Sequence, residues 1–137
     1  MSNFYESPLE YEDKIYPTSE HYYQAMKFED EELQEKVRKA STPSQAAKMG
    51  RNKSNPIRRD WEEMKDEVMF KGLVAKFTQN SDLKRRLLAT ESSELIEHTK
   101  RDSYWGDGGD GSGQNMLGKI LMRVRDQLKI EKLQEEQ

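Results

Sequence analysis

The sequence predicts an α+β, mainly helical single domain with a small β-hairpin or sheet. Three observations carry this. Apolar residues recur at i, i+3 and i+4 along most of the chain. Helix-start chemistry appears repeatedly, most fully at Thr42-Pro43-Ser44-Gln45, with an N-cap hydroxyl, a first-position proline and a glutamine three residues on. Strand-like residues between turn signals are few, in the first 17 positions and again over 94–99. The 137 residues fit one domain. Its expected extent is residues 1–128, with a polar tail over 129–137 that frays.

In chain order, Leu9, Tyr11, Ile15 and Tyr16 flank the polar Glu12-Asp13-Lys14, which predicts a hairpin ending at Pro17. Ser19 is the expected cap of a helix over about 20–28, with Tyr22, Ala25 and Met26 on one face. Leu33 and Val37 mark a helix over 31–40, and the Thr42 signature opens another that stops at Gly50 as a C-cap. A basic connection, Arg51 to Arg59, follows. Asp60 and Glu63 form a capping box for a helix to about Phe77, with Trp61, Met64, Val68 and Phe77 inward. Ser81 or Asp82 starts a shorter helix carrying Leu83, Leu87 and Leu88, and 94–99 reads as a strand. A glycine-rich loop from Trp105 to Asn115 leads to a last helix carrying Leu117, Ile120, Leu121, Val124 and Leu128.

Composition excludes several classes. Apolar residues are 33% of the chain and charged residues 36%, yet the net charge is only −3, so a folded domain with a small core fits better than disorder. Without cysteine, disulfides, thiolate zinc sites, iron–sulfur clusters and thiol catalysis are impossible. No apolar run nears the ~20 residues of a membrane span and no signal-peptide core is present, so the cytoplasm is the expected location. His21 and His98 lack metal-ligand spacing and are expected to be structural. Neither a metal nor a cofactor is expected.

Three segments are candidates for chemistry. Gly106, Gly108 and Gly111 spell G-x-G-x-x-G, but only one helix follows and no βαβ unit remains for a dinucleotide fold. Gly-Lys-Ser/Thr is missing for a P-loop, and position twelve counted from Asp107 is Gly118, which rules out an EF-hand. Two readings stay open: a backbone that approaches an anionic ligand at the helix start near Asn115, or an irregular surface loop. Trp105 is either a stacking surface for a base or an anchor for the loop. Glu20, Gln24 and Lys27, at i, i+4 and i+7, share one helix face, either as a sugar-contacting line or as a solvated face. Arg51, Lys53, Arg58 and Arg59 concentrate positive charge, as a phosphate site or as a solvated connection.

These stretches also resemble a known family. Residues Pro17 to Phe28, Met49-Gly50-Arg51, Trp61 with Lys65 and Val68-Met69, Lys76-Phe77, Leu87 to Thr90, Leu95 to His98, Tyr104 to Gly109 and Asn115 to Gly118 are similar, in order, to blocks of the YbiA-like N-glycosidases of the NADAR superfamily. The match runs from about Ser2 to Leu128. It implies an α+β, mainly helical YbiA-like fold. It also implies cleavage between a ribose carbon and a nitrogen, in phosphoribosylated aminopyrimidine intermediates of riboflavin biosynthesis or, in other relatives, in ADP-ribosylated guanine. Relatives carry an additional upstream segment, commonly a strand, and its lack is expected to reshape one wall of the pocket. The hairpin turn also lacks a glycine often found there.

N-glycoside cleavage passes through an oxocarbenium-like sugar, so negative charge near C1 and help for the departing nitrogen are needed. The resemblance makes Glu20 the first carboxylate and Asp107 the second. Lys27 is the acid toward the leaving group or the amine that captures an opened sugar as a Schiff base. Arg51 and the backbone amides of Gly106, Gly108 and the residues before Asn115 are expected to hold phosphate. Trp105 and Phe4 would stack on the base, with Asn3 and Gln24 bonding to sugar or base. The expected partner is a small phosphoribosyl or ADP-ribosyl substrate; nucleic acid enters only as a modified substrate. A non-catalytic module binding ADP-ribose or NAD is the remaining alternative.

Overall fold

The computed structural model describes residues Ser7–Glu136. They form two compact units that meet in sequence at Gln79 and Asn80.

The first unit opens with an antiparallel hairpin, β1 (Leu9–Tyr11) and β2 (Lys14–Tyr16), in the register Leu9 to Tyr16 and Tyr11 to Lys14. Its two-residue turn places Glu12 and Asp13 at φ 50° and 67°. Such a turn matches the right-handed twist of the strands but needs left-handed backbone at both positions, where glycine carries no steric cost. Asp13→Gly should therefore raise stability by about 0.5–1 kcal/mol. Urea unfolding would show this as a higher midpoint with unchanged slope; an unchanged or lower midpoint would contradict it.

Helix α1 (Ser19–Ala25) is short and central, packing against α2 (Glu31–Arg38), α3 (Pro43–Arg51) and α4 (Trp61–Gln79). Its cap is Thr18 rather than Ser19: the Thr18 hydroxyl accepts from the His21 amide at 3.2 Å, and Ser19 is the first helical residue. The helix also ends at Ala25, before Phe28. Its line of polar residues is not a solvated face, because every α1 residue except Glu20 is buried. His21 is structural as expected, with Nδ1 paired to the Thr18 hydroxyl and Nε2 to the Ala40 carbonyl.

Thr42 caps α3 as its motif predicts, accepting from the Gln45 amide at 3.1 Å. Gly50, however, is an interior helical residue and not a C-cap; its role is close packing, taken up below. The Asp60 carboxylate is engaged by Arg58 at 2.6 and 3.1 Å. In α4 the expected inward residues Trp61, Val68 and Phe77 are buried, while Met64 is half-buried. Gly72 lets the Tyr22 ring lie against α4, where a Cβ would come within 2.6 Å of it. The Gln79 amide then clamps the hairpin, accepting from the Glu10 amide and donating to its carbonyl.

The second unit packs α5 (Ser81–Leu88) on α6 (Met116–Glu135). Leu83, Leu87, Leu95, Leu117, Ile120, Leu121, Val124 and Leu128 are buried in it. One expectation is corrected. Residues 94–99 do not form a strand, because their hydrogen bonds go to the glycine loop and the Asn115 side chain, leaving no strand to pair with. Helix α6 runs on past Leu128 to Glu135, with Lys129 donating to the Glu91 carbonyl. Among the described residues no helix is long and apolar enough to cross a membrane.

Candidate functional site

In the first unit the structure brings together Glu20 and Gln24 of α1 and Lys27 just past its end. The Gln24 amide donates to the Glu20 carboxylate at 2.7 Å. Gln24 is buried, and its Oε1 has no hydrogen-bond partner among the described residues. Lys27 lies in the turn just past α1, where its carbonyl accepts from the Arg58 amide at 2.8 Å. Its ammonium sits 5.7 Å from the Tyr23 ring centre, a cation–π distance, and Tyr23 is itself packed edge-on against Trp61.

Glycine explains how a polar line can sit inside a helical cluster. A Cβ on Gly50 would overlap Gln24 Oε1, approach its Cδ to 2.7 Å and lie 3.3 Å from Lys27 Nζ. Only a residue without a side chain lets α3 come this close. Gly50 also delivers Arg51, an exposed cation at the end of α3. The electrostatics follow from this packing. Burial pushes the Lys27 ammonium below its ordinary value, the Glu20 carboxylate opposes that shift, and Arg51 adds to it. An amine depressed in this way is suited to proton transfer or to nucleophilic attack.

The rest of the basic connection behaves differently. Arg58 is paired with Asp60, whereas Lys53 and Arg59 are exposed. An open cleft of about 390 Å³ lies here, lined by Glu29, Asp30, Pro56, Ile57 and Arg58 to Asp60. It contains none of Glu20, Gln24 or Lys27.

In the second unit the glycine loop is an ordered turn system built on two aspartates. Asp102 accepts from the Tyr104 and Trp105 amides at 2.9 and 2.8 Å. Asp107, 6% exposed, accepts from the Thr99 and Gly109 amides and pairs with His98 Nδ1 at 2.7 Å. The His98 contact, then the Gly109 and Thr99 amides, hold the Asp107 carboxyl below the usual carboxylate range. Both its oxygens are therefore engaged inside the loop, and it does not present a bare carboxylate.

The amides expected to cradle phosphate are also engaged. Those of Gly108, Gly113, Gln114 and Asn115 donate to the carbonyls of Asp102, Asp107, Ser103 and Gly106. Those of Met116 and Leu117, the start of α6, donate to Tyr104 and Trp105. The loop has folded back to satisfy the helix N-terminus with its own carbonyls. Gly108, at φ +76°, makes that reversal possible. Asn115 is buried and left-handed at φ 52°, and its side chain bridges the Leu95 carbonyl and the Glu97 amide. Trp105 is half-buried with its ring edge-on to Tyr104 at 4.9 Å. A cleft of about 230 Å³ borders the loop, lined by Glu94, Ile96, Asp107, Gln114, Lys119 and Met122. Asn3 and Phe4 lie outside the described residues.

No group of three or more His, Cys, Asp or Glu is placed to hold a metal among the described residues. Sequence reasoning missed two features here, the packing role of Gly50 and the pairing of His98 with Asp107. The second had no local signal, since the partners are nine positions apart along an irregular loop.

Comparison with known proteins fits this geometry to a family. The NADAR domain model matches residues 1–129, and the chain belongs to that family. Its class is that of the N-glycosidases, hydrolases acting on N-glycosyl compounds. The chain is 53% identical to N-glycosidase YbiA of Escherichia coli over 96% of its own length and 82% of that protein's. It is 37% identical to N-glycosidase Npun_R5314 of Nostoc punctiforme over 94% and 85% of the two lengths. A riboflavin biosynthesis protein of Vibrio vulnificus is 47% identical, with this chain spanning 35% of it. The NMR structure of E. coli YbiA superposes with a TM-score of 0.89, covering 96% of this chain and 79% of that one. The mainly helical fold with its small antiparallel sheet is therefore that of YbiA.

Proposed function

We propose that this protein hydrolyses the N-glycosidic bond of phosphoribosylated aminopyrimidine intermediates of riboflavin biosynthesis, acting in the cytoplasm. The observation that carries the reading is the Glu20–Gln24–Lys27 cluster, a carboxylate and a depressed amine fixed side by side in a helical frame. Relatives named for riboflavin biosynthesis in Vibrio vulnificus and Zea mays support the substrate class.

In this mechanism Glu20 stabilises positive charge as it develops on the anomeric carbon and orients the incoming water. Gln24 fixes the Glu20 carboxylate, leaving its other oxygen for the sugar. Lys27 protonates the departing nitrogen as the C–N bond breaks, and Arg51 binds the 5-phosphate as a fork of donors. A second route is favoured by the lowered Lys27 affinity for protons: the free amine adds to C1 of the ring-opened glycosylamine imine and displaces the aminopyrimidine as its free amine, leaving a Lys27 Schiff base that water hydrolyses to ribose 5-phosphate and the regenerated lysine.

Purified protein incubated with either intermediate should release ribose 5-phosphate and the free aminopyrimidine, read by mass spectrometry. Intact substrate after prolonged incubation would reject the reading. The reaction should be unaffected by EDTA, because the chemistry is assigned wholly to side chains. A loss of turnover restored by one particular divalent ion would contradict that assignment.

A further inference from the structure

The Gln24 side chain is engaged at one end only. Its Nε2 donates to the Glu20 carboxylate at 2.7 Å, while its Oε1 is buried with no hydrogen-bond partner among the described residues. The amide cannot turn over, because exchanging its ends would set the carbonyl lone pairs against the carboxylate. Oε1 is therefore fixed toward α3, against Gly50. A buried carbonyl left unpaired is costly, and native proteins keep few of them. The donor at hand is Lys27. A Cβ on Gly50 would overlap Oε1 and lie 3.3 Å from Lys27 Nζ, so the two atoms flank the same small volume. Nζ carries three donors when charged and stands on a flexible four-carbon stem, here 5.7 Å from the Tyr23 ring centre.

The geometry points to Gln24 as the positioning residue of Lys27 as well as of Glu20, with Oε1 accepting a hydrogen bond from Nζ when that nitrogen is charged. This deepens the N-glycosidase reading above and rests on it for the role of Lys27. Pairing needs only a rotation of the lysine stem. One amide then holds both reacting groups at a set separation, the carboxylate through its donor and the lysine through its acceptor. In the acid route the ammonium keeps one N–H on Oε1 and delivers another proton to the departing nitrogen. In the Schiff-base route the protonated imine has a single N–H. Oε1 takes it, which sets the C=N beside the water that Glu20 orients. Glu20 and Glu62 of α4 also favour the charged lysine, while burial and Arg51 at the end of α3 oppose it.

The test follows the Lys27 titration in the full-length protein by its ¹³Cε NMR signal, assigned by its disappearance in Lys27→Arg. Gln24→Met keeps the length of the side chain and removes the acceptor, and should lower the Lys27 affinity for protons about tenfold. Gln24→Glu keeps an acceptor at that place, so there the affinity should stay at or above the wild-type value. The alkaline limb of the kcat profile should move to lower pH in Gln24→Met and not in Gln24→Glu. A merely structural Gln24 would lower turnover in both without moving the Lys27 titration. In the wild type the Gln24 side-chain carbonyl ¹³C signal should move with the Lys27 midpoint, a measurement that needs no variant to fold. An unchanged Lys27 affinity in Gln24→Met, an equal fall in Gln24→Glu, or a Gln24 carbonyl signal that stays flat through the Lys27 titration would overturn the proposal. These signals need no substrate, so aminopyrimidine intermediates left intact would reject the substrate reading alone.

Discussion

Glu20→Gln should abolish most turnover while leaving the fold intact. Glutamine keeps the volume and one acceptor oxygen, so Gln24 can still donate to it and the helix start is undisturbed. What disappears is the negative charge that faces the developing sugar cation. Loss of a well-placed catalytic carboxylate costs about 10²–10⁴-fold, a range that would appear in kcat more than in KM. A second consequence follows from the neighbouring amine. Glu20 opposes the burial that depresses Lys27, so its neutralisation lowers the Lys27 affinity for protons further. The alkaline limb of the residual pH–rate profile should move to lower pH wherever the Lys27 ammonium acts as the acid. Near-normal kcat in a folded variant would remove Glu20 from the mechanism.

Gly50→Ala has the second-largest expected effect, and it separates activity from stability. Alanine is the better helix former by about 1 kcal/mol, and Gly50 is an interior helical residue. The added Cβ must nevertheless displace the Gln24 amide, which it would overlap, and crowd Lys27 Nζ. That amide is the tether of Glu20. A misplacement of about 1 Å in a catalytic group costs on the order of 10²-fold in rate. The expected result is a melting temperature within a few degrees of wild type and turnover reduced at least tenfold. Wild-type turnover would show that Gln24 and Lys27 need no fixed geometry.

Helices with complete start signals were legible in the sequence, because their caps are local chemistry. Thr42-Pro43-Ser44-Gln45 opens α3 as expected, with the Thr42 hydroxyl accepting from the Gln45 amide. The residues that failed are those whose role is set by something distant. Gly50 reads as a helix end, since glycine ends helices more often than it packs inside them. The 94–99 segment reads as a strand from its composition, but its hydrogen-bond partners are a glycine loop and an asparagine side chain. Glu20 and Gln24 were paired correctly by helical spacing alone. Spacing says nothing about burial, however, and the face that looked solvated lies among three other helices. For Asp107 the sequence offers a carboxylate in a glycine loop and no more: irregular loops carry no period, so nothing local reports that its oxygens are engaged by His98, Thr99 and Gly109. The amides near Asn115 failed for the same reason, because a loop can fold back on the helix it precedes.

A competition assay tests the central assignment most directly. Purified protein would receive equal concentrations of a phosphoribosylated aminopyrimidine intermediate and ADP-ribosylated guanosine in one vessel, with both cleavage products followed by mass spectrometry. The account predicts early release of ribose 5-phosphate while ADP-ribose accumulates slowly or not at all, and neither product from Glu20→Gln over the same period. Release of ADP-ribose with the aminopyrimidine left intact would contradict it.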